Sequence, residues 1–274
     1  GAYCIFGRNL FAIRIIQAII GSLSCLLIFY LAQAIFKNRS GVLAGLFSAV
    51  HLGFIAQSAK ILTECLSIFI LLCAVTFFHK LKAQTHKKRY YAYFGLTMGI
   101  ASLVRSNLSI LFFLLCLFLV YDLIKKQLNI KKALKYMVIC GIAFIIPIAP
   151  WTIRNYIVFH TFIPLSTFQG IALYTSYKPL DGKIYGFTPK DEVTQKAKAM
   201  TSEIERNSFL TKEAIKFVKS NPGVFLKLIG LKLAYLFSPF DWELIRNRAV
   251  YNYLYAFYFP FFALGIFLYA RKFN

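Results

Sequence analysis

Apolar residues run along this chain in long blocks with short polar punctuation, and the blocks are too unbroken to be the single buried faces of soluble helices. Runs approaching the roughly 20 residues that a membrane-spanning helix needs cover 10 to 36, 41 to 58, 61 to 79, 90 to 104, 106 to 124, 134 to 152 and 250 to 270. Two of the links are short enough to predict tight helical hairpins. Polar residues return in bulk only after Trp151. Of the ten acidic residues, Glu64 and Asp122 precede Asp181 and the rest fall between Asp181 and Glu243. The stretch from Thr188 to Lys219 has helical spacing and good helix formers, and Asn221-Pro222-Gly223 ends it.

The pattern predicts an all-α integral membrane protein, a multi-pass bundle of transmembrane helices with a partly helical external loop domain. Its divisions are membrane helices over 1–152, the external loop over 153–223, an interfacial or re-entrant helix over 224–240, and a last span within 241–274. The segment 224–240 is read as interfacial because Lys227 and Lys232 interrupt a run barely long enough to cross.

Composition agrees: 59% of residues are hydrophobic and only 15% charged, which excludes an ordinary soluble domain of this length. A net charge of +22 raises nucleic acid as a partner. The basic residues instead lie in blocks at alternate ends of the apolar runs, at Lys37 and Arg39, Lys80 to Arg89, and Lys125 to Lys135, as cytoplasmic loops do. Membrane lipid is therefore the expected partner, and nucleic acid is not. Five of the six cysteines sit inside apolar runs without C-x-x-C spacing, so they read as small core residues.

This orientation leaves Lys60, Arg105 and Arg154 at helix ends on the external face, where short loops are normally poor in cations. Glu64, in "SAKILTECLSIF", lies about one turn into a span, and an intramembrane acid costs about 2.5 to 3.5 kcal/mol on insertion scales. Lys60 stands four residues before it, so the two are expected to share a helix face, either as a structural pair or as part of an anion site. In "PWTIRNY", Trp151 anchors the helix at the interface and Arg154 is followed at once by Asn155. Arginine suits bidentate phosphate contact, and the bland alternative is a guanidinium snorkelling to lipid headgroups. His51 reads as a hydrogen-bonded core histidine. No phosphate-binding glycine loop, H-E-x-x-H motif or metal-spaced cluster is present; Asp241 and Glu243 make only a D-x-E.

From Phe6 to Phe69 the sequence resembles the early membrane block of bacterial GT-C glycosyltransferases, the group that contains protein O-mannosyltransferases and the aminoarabinose transferase of lipid A (glycosyltransferase family 39 type). The resemblance rests on the spacing from Arg14 to Gly21, the small-residue hairpin after Lys37 to Ser40, and Thr63-Glu64. "APWTIRNYIVFHTFIPLSTFQGIALY" and "NPGVFLKLIGLKLAYLFSP" resemble later segments of these enzymes. It implies a multi-pass enzyme of the bacterial inner membrane whose external cavity passes a sugar from a polyprenyl-phosphate donor to a lipid, glycan or protein acceptor. Arg154, Arg105 and Lys60 would then hold the donor phosphate, and Asn155, Tyr174, Tyr177 and Lys178 would line the cavity. The catalytic acid of the family lies in the first external loop, so the base is expected upstream of Gly1 and Glu64 takes a supporting part. No cofactor is demanded, with a divalent cation left open. The alternative from another class is a transporter or flippase for a lipid-linked or anionic solute; a non-catalytic membrane scaffold is the third.

Overall fold

Lipid cannot hydrogen-bond a backbone, so a chain this apolar satisfies its amides within helices. In the computed structural model the described residues are 9–36, 40–177, 192–237, 259, 260, 262, 263 and 265, and among them all regular structure is helical. Most of the expected final span, together with Lys37, Arg39, Lys178, Asp241 and Glu243, lies outside the described residues. The chain divides into two compact units, Gly1–Leu165 and Ser166–Asn274.

The first unit contains α1 (Leu10–Phe36), α2 (Ser40–Val50), α3 (Leu52–Ala59), α4 (Glu64–Ala83), α5 (Lys88–Val104), α6 (Leu108–Lys125) and α7 (Ile130–Phe159). Four of them, α1, α4, α6 and α7, are long and apolar enough to cross a membrane, and α2 with α3 makes a fifth if the bent pair counts as one span. The run expected as one span over 41 to 58 is thus two helices meeting at 50°. His51 causes the break: its backbone is extended, and its ring Nδ1 accepts from the Gly53 amide at 3.1 Å, capping α3. Helix α5, with 17 residues, sits at the lower limit of spanning length. Helix α7 runs on to Phe159, past the exit expected near Trp151, because the side chains after Trp151 tie down a returning loop.

The unit's core forms around α5. Tyr91, Phe94 and Met98 are fully buried, with Leu119 and Leu123 from α6 and Cys140 from α7. Helices α4 and α5 run antiparallel, with Phe77 against Tyr93 and Phe78 against Phe94. Phe112 of α6 stacks on Phe144 of α7 at 3.9 Å between ring centroids and 1° between planes. At the lysine-rich end, Lys126 pairs with Asp122 at 2.9 Å and donates to the Lys82 carbonyl at 3.0 Å, closing the end of α6 onto the last turn of α4. Large side chains such as Leu117 and Ile124 remain exposed, the pattern of a lipid-facing surface.

Helices α5 and α7 pack most closely, and they run parallel in a fixed register. Gly95 lies on Cys140, Gly99 on Phe144, and Tyr91 stacks on Tyr136 at 4.7 Å, each pair 45 positions apart. A Cβ at Gly95 would fall 2.2 Å from the Cys140 carbonyl oxygen, and one at Gly99 2.3 Å from that of Phe144. Gly95 and Gly99 make a G-x-x-x-G pair, the spacing that lets helix backbones touch in lipid.

The second unit contains α8 (Gln169–Tyr177), α9 (Glu192–Ala199), α10 (Glu203–Ser220) and α11 (Pro222–Phe237). The helical stretch expected after Thr188 is split at Met200 to Ser202, where the Ser202 hydroxyl caps α10 by accepting from the Glu205 amide. Asn221 ends α10 and Pro222 opens α11, a position where a missing amide costs nothing. Tyr174, Ala197, Leu210 and Ala214 form the core of this unit. The Lys232 ammonium donates to the Ser176 carbonyl, giving one of the two lysines of the 224–240 run a partner at the end of α8.

Gly95→Ala and Gly99→Ala should each destabilise the detergent-solubilised protein by about 1–3 kcal/mol through overpacking against the α7 backbone. Gly141→Ala, where an added Cβ meets nothing within 4 Å, should be neutral or stabilising. Thermal unfolding of the three variants side by side is the check; equal melting temperatures would remove the close approach as the basis of the α5–α7 contact.

Candidate functional site

The polar groups gather where α3 gives way to α4. Helix α3 ends at Lys60, whose backbone is extended (φ −87°, ψ 137°), and α4 starts at Glu64. This corrects two expectations: Glu64 is the first residue of its helix rather than a turn inside it, and Lys60 and Glu64 share no helix face. The intervening residues are held from α1, where Gln17 donates its Nε2 to the Leu62 carbonyl at 2.8 Å. The Cys65 thiol donates back to the Gln17 carbonyl at 3.3 Å. Gly21 permits this closeness, since a Cβ there would stand 2.4 Å from the Ser58 hydroxyl.

Glu64 meets Arg105 across 41 residues of sequence, Oε1 to Nη1 at 3.2 Å. Arg105 follows α5 in an extended conformation, so its side chain reaches sideways from the helix end to the start of α4. With the two side chains 31% and 42% exposed, the pair itself contributes only about 0.2–1 kcal/mol. Its significance lies in the other oxygen. Glu64 Oε2 is buried and without a hydrogen bond, as are Oε1 of Gln17 and Oε1 of Gln57. Buried acceptors without donors are uncommon and costly, and all three belong to residues at or beside the break between α3 and α4. That set can accept from hydroxyls or ammonium groups, or face a cation. No cluster of three or more His, Cys, Asp or Glu suited to a metal occurs among the described residues.

Arg154 belongs to a different construction. Three side chains of the last turns of α7 bond three consecutive carbonyls of the returning chain in reverse order: Asn155 to Ile163 at 3.0 Å, Thr152 to Pro164 at 3.0 Å, and Trp151 to Leu165 at 2.9 Å. The turn that permits this is His160, in the left-handed region at φ 50°. Asn155 is 2% exposed and its Oδ1 accepts from Arg154 Nη1 at 3.1 Å. The Arg154 guanidinium lies 5.3 Å from the Trp151 ring centroid and 5.8 Å from that of Phe159. The Arg-Asn pair therefore locks a strap onto the helix end, while most of the guanidinium's donors make no hydrogen bond among the described residues.

By the α5–α7 register, Arg105 is level with residue 150, so Arg154 stands four residues, about 6 Å, farther along the axis. The structure thus joins Arg105 to Glu64 and gives Arg154 its own aromatic cluster. Tyr174 is buried in the core of the second unit and lines a small cavity there with Glu213 and Lys216. Tyr177 ends α8.

Sequence reading missed a cavity of about 660 Å³ among α1, α2 and α3. It is largely apolar, with Phe54, Ile55 and Leu26 in its wall and Arg14 as its cation. Arg14 is exposed and makes no hydrogen bond or ion pair with the described residues. The available signal was the stripe of small or polar residues Arg14, Ala18, Gly21, Ser22 and Cys25 along one side of an apolar helix.

The sequence model of a family described as dolichyl-phosphate-mannose-protein mannosyltransferase matches residues 1–153. No curated protein and no solved structure matches the chain.

Asn155→Leu should release the strap, leaving the Ile163 carbonyl without its donor at a cost of about 1–3 kcal/mol. Hydrogen exchange over 160–165 should accelerate strongly in that variant while α5 exchanges as before; unchanged protection would show that the strap does not depend on this amide.

Proposed function

Since the chain belongs to the dolichyl-phosphate-mannose-protein mannosyltransferase family, membrane glycosyltransferases of the GT-C type, we propose that it moves a sugar from a polyprenyl-phosphate donor to a lipid, glycan or protein acceptor on the external face of a bacterial inner membrane. The observation that carries this reading is the half-committed carboxylate of Glu64, with one oxygen on Arg105 and the other buried with nothing to accept from. A carboxylate so placed takes a hydrogen bond from a hydroxyl, and a sugar or an acceptor supplies hydroxyls. Glu64 is a positioning group in this scheme, and the proton-abstracting base is another residue.

The other half of the reaction is departure of an anionic lipid phosphate, which cations stabilise as its charge develops. Arg154 retains donors for that task, with Trp151 and Phe159 fixing its plane and Asn155 fixing its direction. Arg105, steered by Glu64, and Lys60, at the end of α3, complete the set on neighbouring helix ends. The apolar cavity beside Arg14 offers hydrocarbon contact for a lipid ligand next to a cation.

One observation favours the second reading, a transporter or flippase. The break between α2 and α3 comes after 11 residues of α2, about 16 Å from its start and thus near mid-bilayer, where transporters place broken helices. Transfer and transport are separable in proteoliposomes given a polyprenyl-phosphate sugar on one side only.

In the full-length protein, Arg154→Ala should lower transfer by about 10²-fold or more with little change in melting temperature, as loss of a charge-stabilising donor does. Glu64→Gln, which keeps an acceptor but loses the charge, should cost less than Glu64→Ala. Product formation from a radiolabelled donor measures both. Full activity in Arg154→Ala would refute the phosphate assignment, and donor translocation without transfer would favour the transporter.

A further inference from the structure

The second unit contains a polar cavity that the transfer reaction leaves unassigned. It measures about 370 Å³, within the range of small-molecule sites, and is lined by Thr167, Phe168, Ile171, Thr201, Glu203, Arg206 and Asn207. The geometry points to a binding site for a neutral saccharide, held by Glu203 and Arg206 with Phe168 beneath the ring.

Three features select that ligand. Glu203 and Arg206 stand three residues apart on α10, so the cavity carries one carboxylate and one guanidinium, with no net charge to attract a phosphate. Together they offer both kinds of hydrogen-bonding group, which vicinal hydroxyls require because each hydroxyl donates and accepts. The second feature is unused capacity. Arg206 spends one Nη2 bond on the Met200 carbonyl at 3.1 Å, while its Nε is shielded from solvent with no acceptor. The third is an apolar face: the Phe168 side chain is large and 56% exposed at a polar cavity, as suits stacking against the C–H face of a pyranose.

The cavity wall is also rigid. The Thr167 hydroxyl donates to Glu203, holding the carboxylate toward the start of α8. The Gly170 amide donates to Asn207 Oδ1 at 2.5 Å, and Gly170 lets α8 approach so closely that a Cβ would lie 2.2 Å from the Asn207 carbonyl oxygen. The polar groups are thus set before a ligand arrives, which limits the ordering cost of binding. Binding here is independent of the transfer chemistry and is measured without it.

The test uses the full chain in a detergent without a sugar headgroup, and saturation-transfer NMR with methyl glycosides of mannose, glucose and galactose, plus citrate as an anionic competitor. At least one glycoside should receive saturation. The signal should fall about fivefold or more in Arg206→Met, Glu203→Ala and Phe168→Ala, the loss expected from one hydrogen bond or one stacking face. Phe168→Ala removes an exposed ring and threatens the fold least, so it decides the matter if the others unfold. The proposal fails if no glycoside is saturated, if Phe168→Ala binds as the parent does, or if citrate displaces the glycoside and so reveals an anion site.

Discussion

Hydrocarbon is as apolar as leucine, so two helices in a membrane gain nothing by hiding side chains from lipid; they associate by surface contact, and contact requires small residues. Gly95 and Gly99 meet that requirement, and much of the first unit follows from them. They seat α5 on the α7 backbone in one register, which stacks Tyr91 on Tyr136 and brings Phe144 against Phe112 of α6. With α5 fixed, Arg105 emerges opposite the start of α4 and finds Glu64. The pair at this end of the bundle is thus a remote result of two missing side chains in its middle.

That end contains two devices of different kinds. The strap over the end of α7 is complete in itself: each of its three side-chain donors has a carbonyl, and the buried asparagine orients the arginine. The break between α3 and α4 is incomplete, with three buried oxygens lacking donors. A complete device holds something in place, whereas an incomplete one leaves hydrogen-bonding capacity unspent.

The sequence showed what hydropathy and charge can show. Long apolar runs predicted α1, α4, α6 and α7. The early motifs from Arg14 to Glu64 pointed to the family that the comparison also found. What stayed hidden depends on geometry. The α2–α3 run reads as continuous because the break uses a histidine capping onto Gly53, with no proline, and hydropathy does not register a cap. Glu64 was matched with Lys60 by helical spacing, but the chain is not helical between them, and its partner stands 41 residues away. In "WTIRN" the arginine carries the charge, but Trp151, Thr152 and Asn155 hold the returning chain through carbonyls that no sequence motif marks.

The 45-residue offset between α5 and α7 also sets a schedule for biogenesis. Helix α5 leaves the ribosome well before the surface it fits exists, and at about 5–20 residues per second that interval lasts roughly 2–9 seconds. During that time a tyrosine-bearing helix at the lower limit of spanning length lacks the helix it packs against most closely. Its bare glycine stripe stays open to lipid, or to another nascent helix, until α7 arrives to cover it.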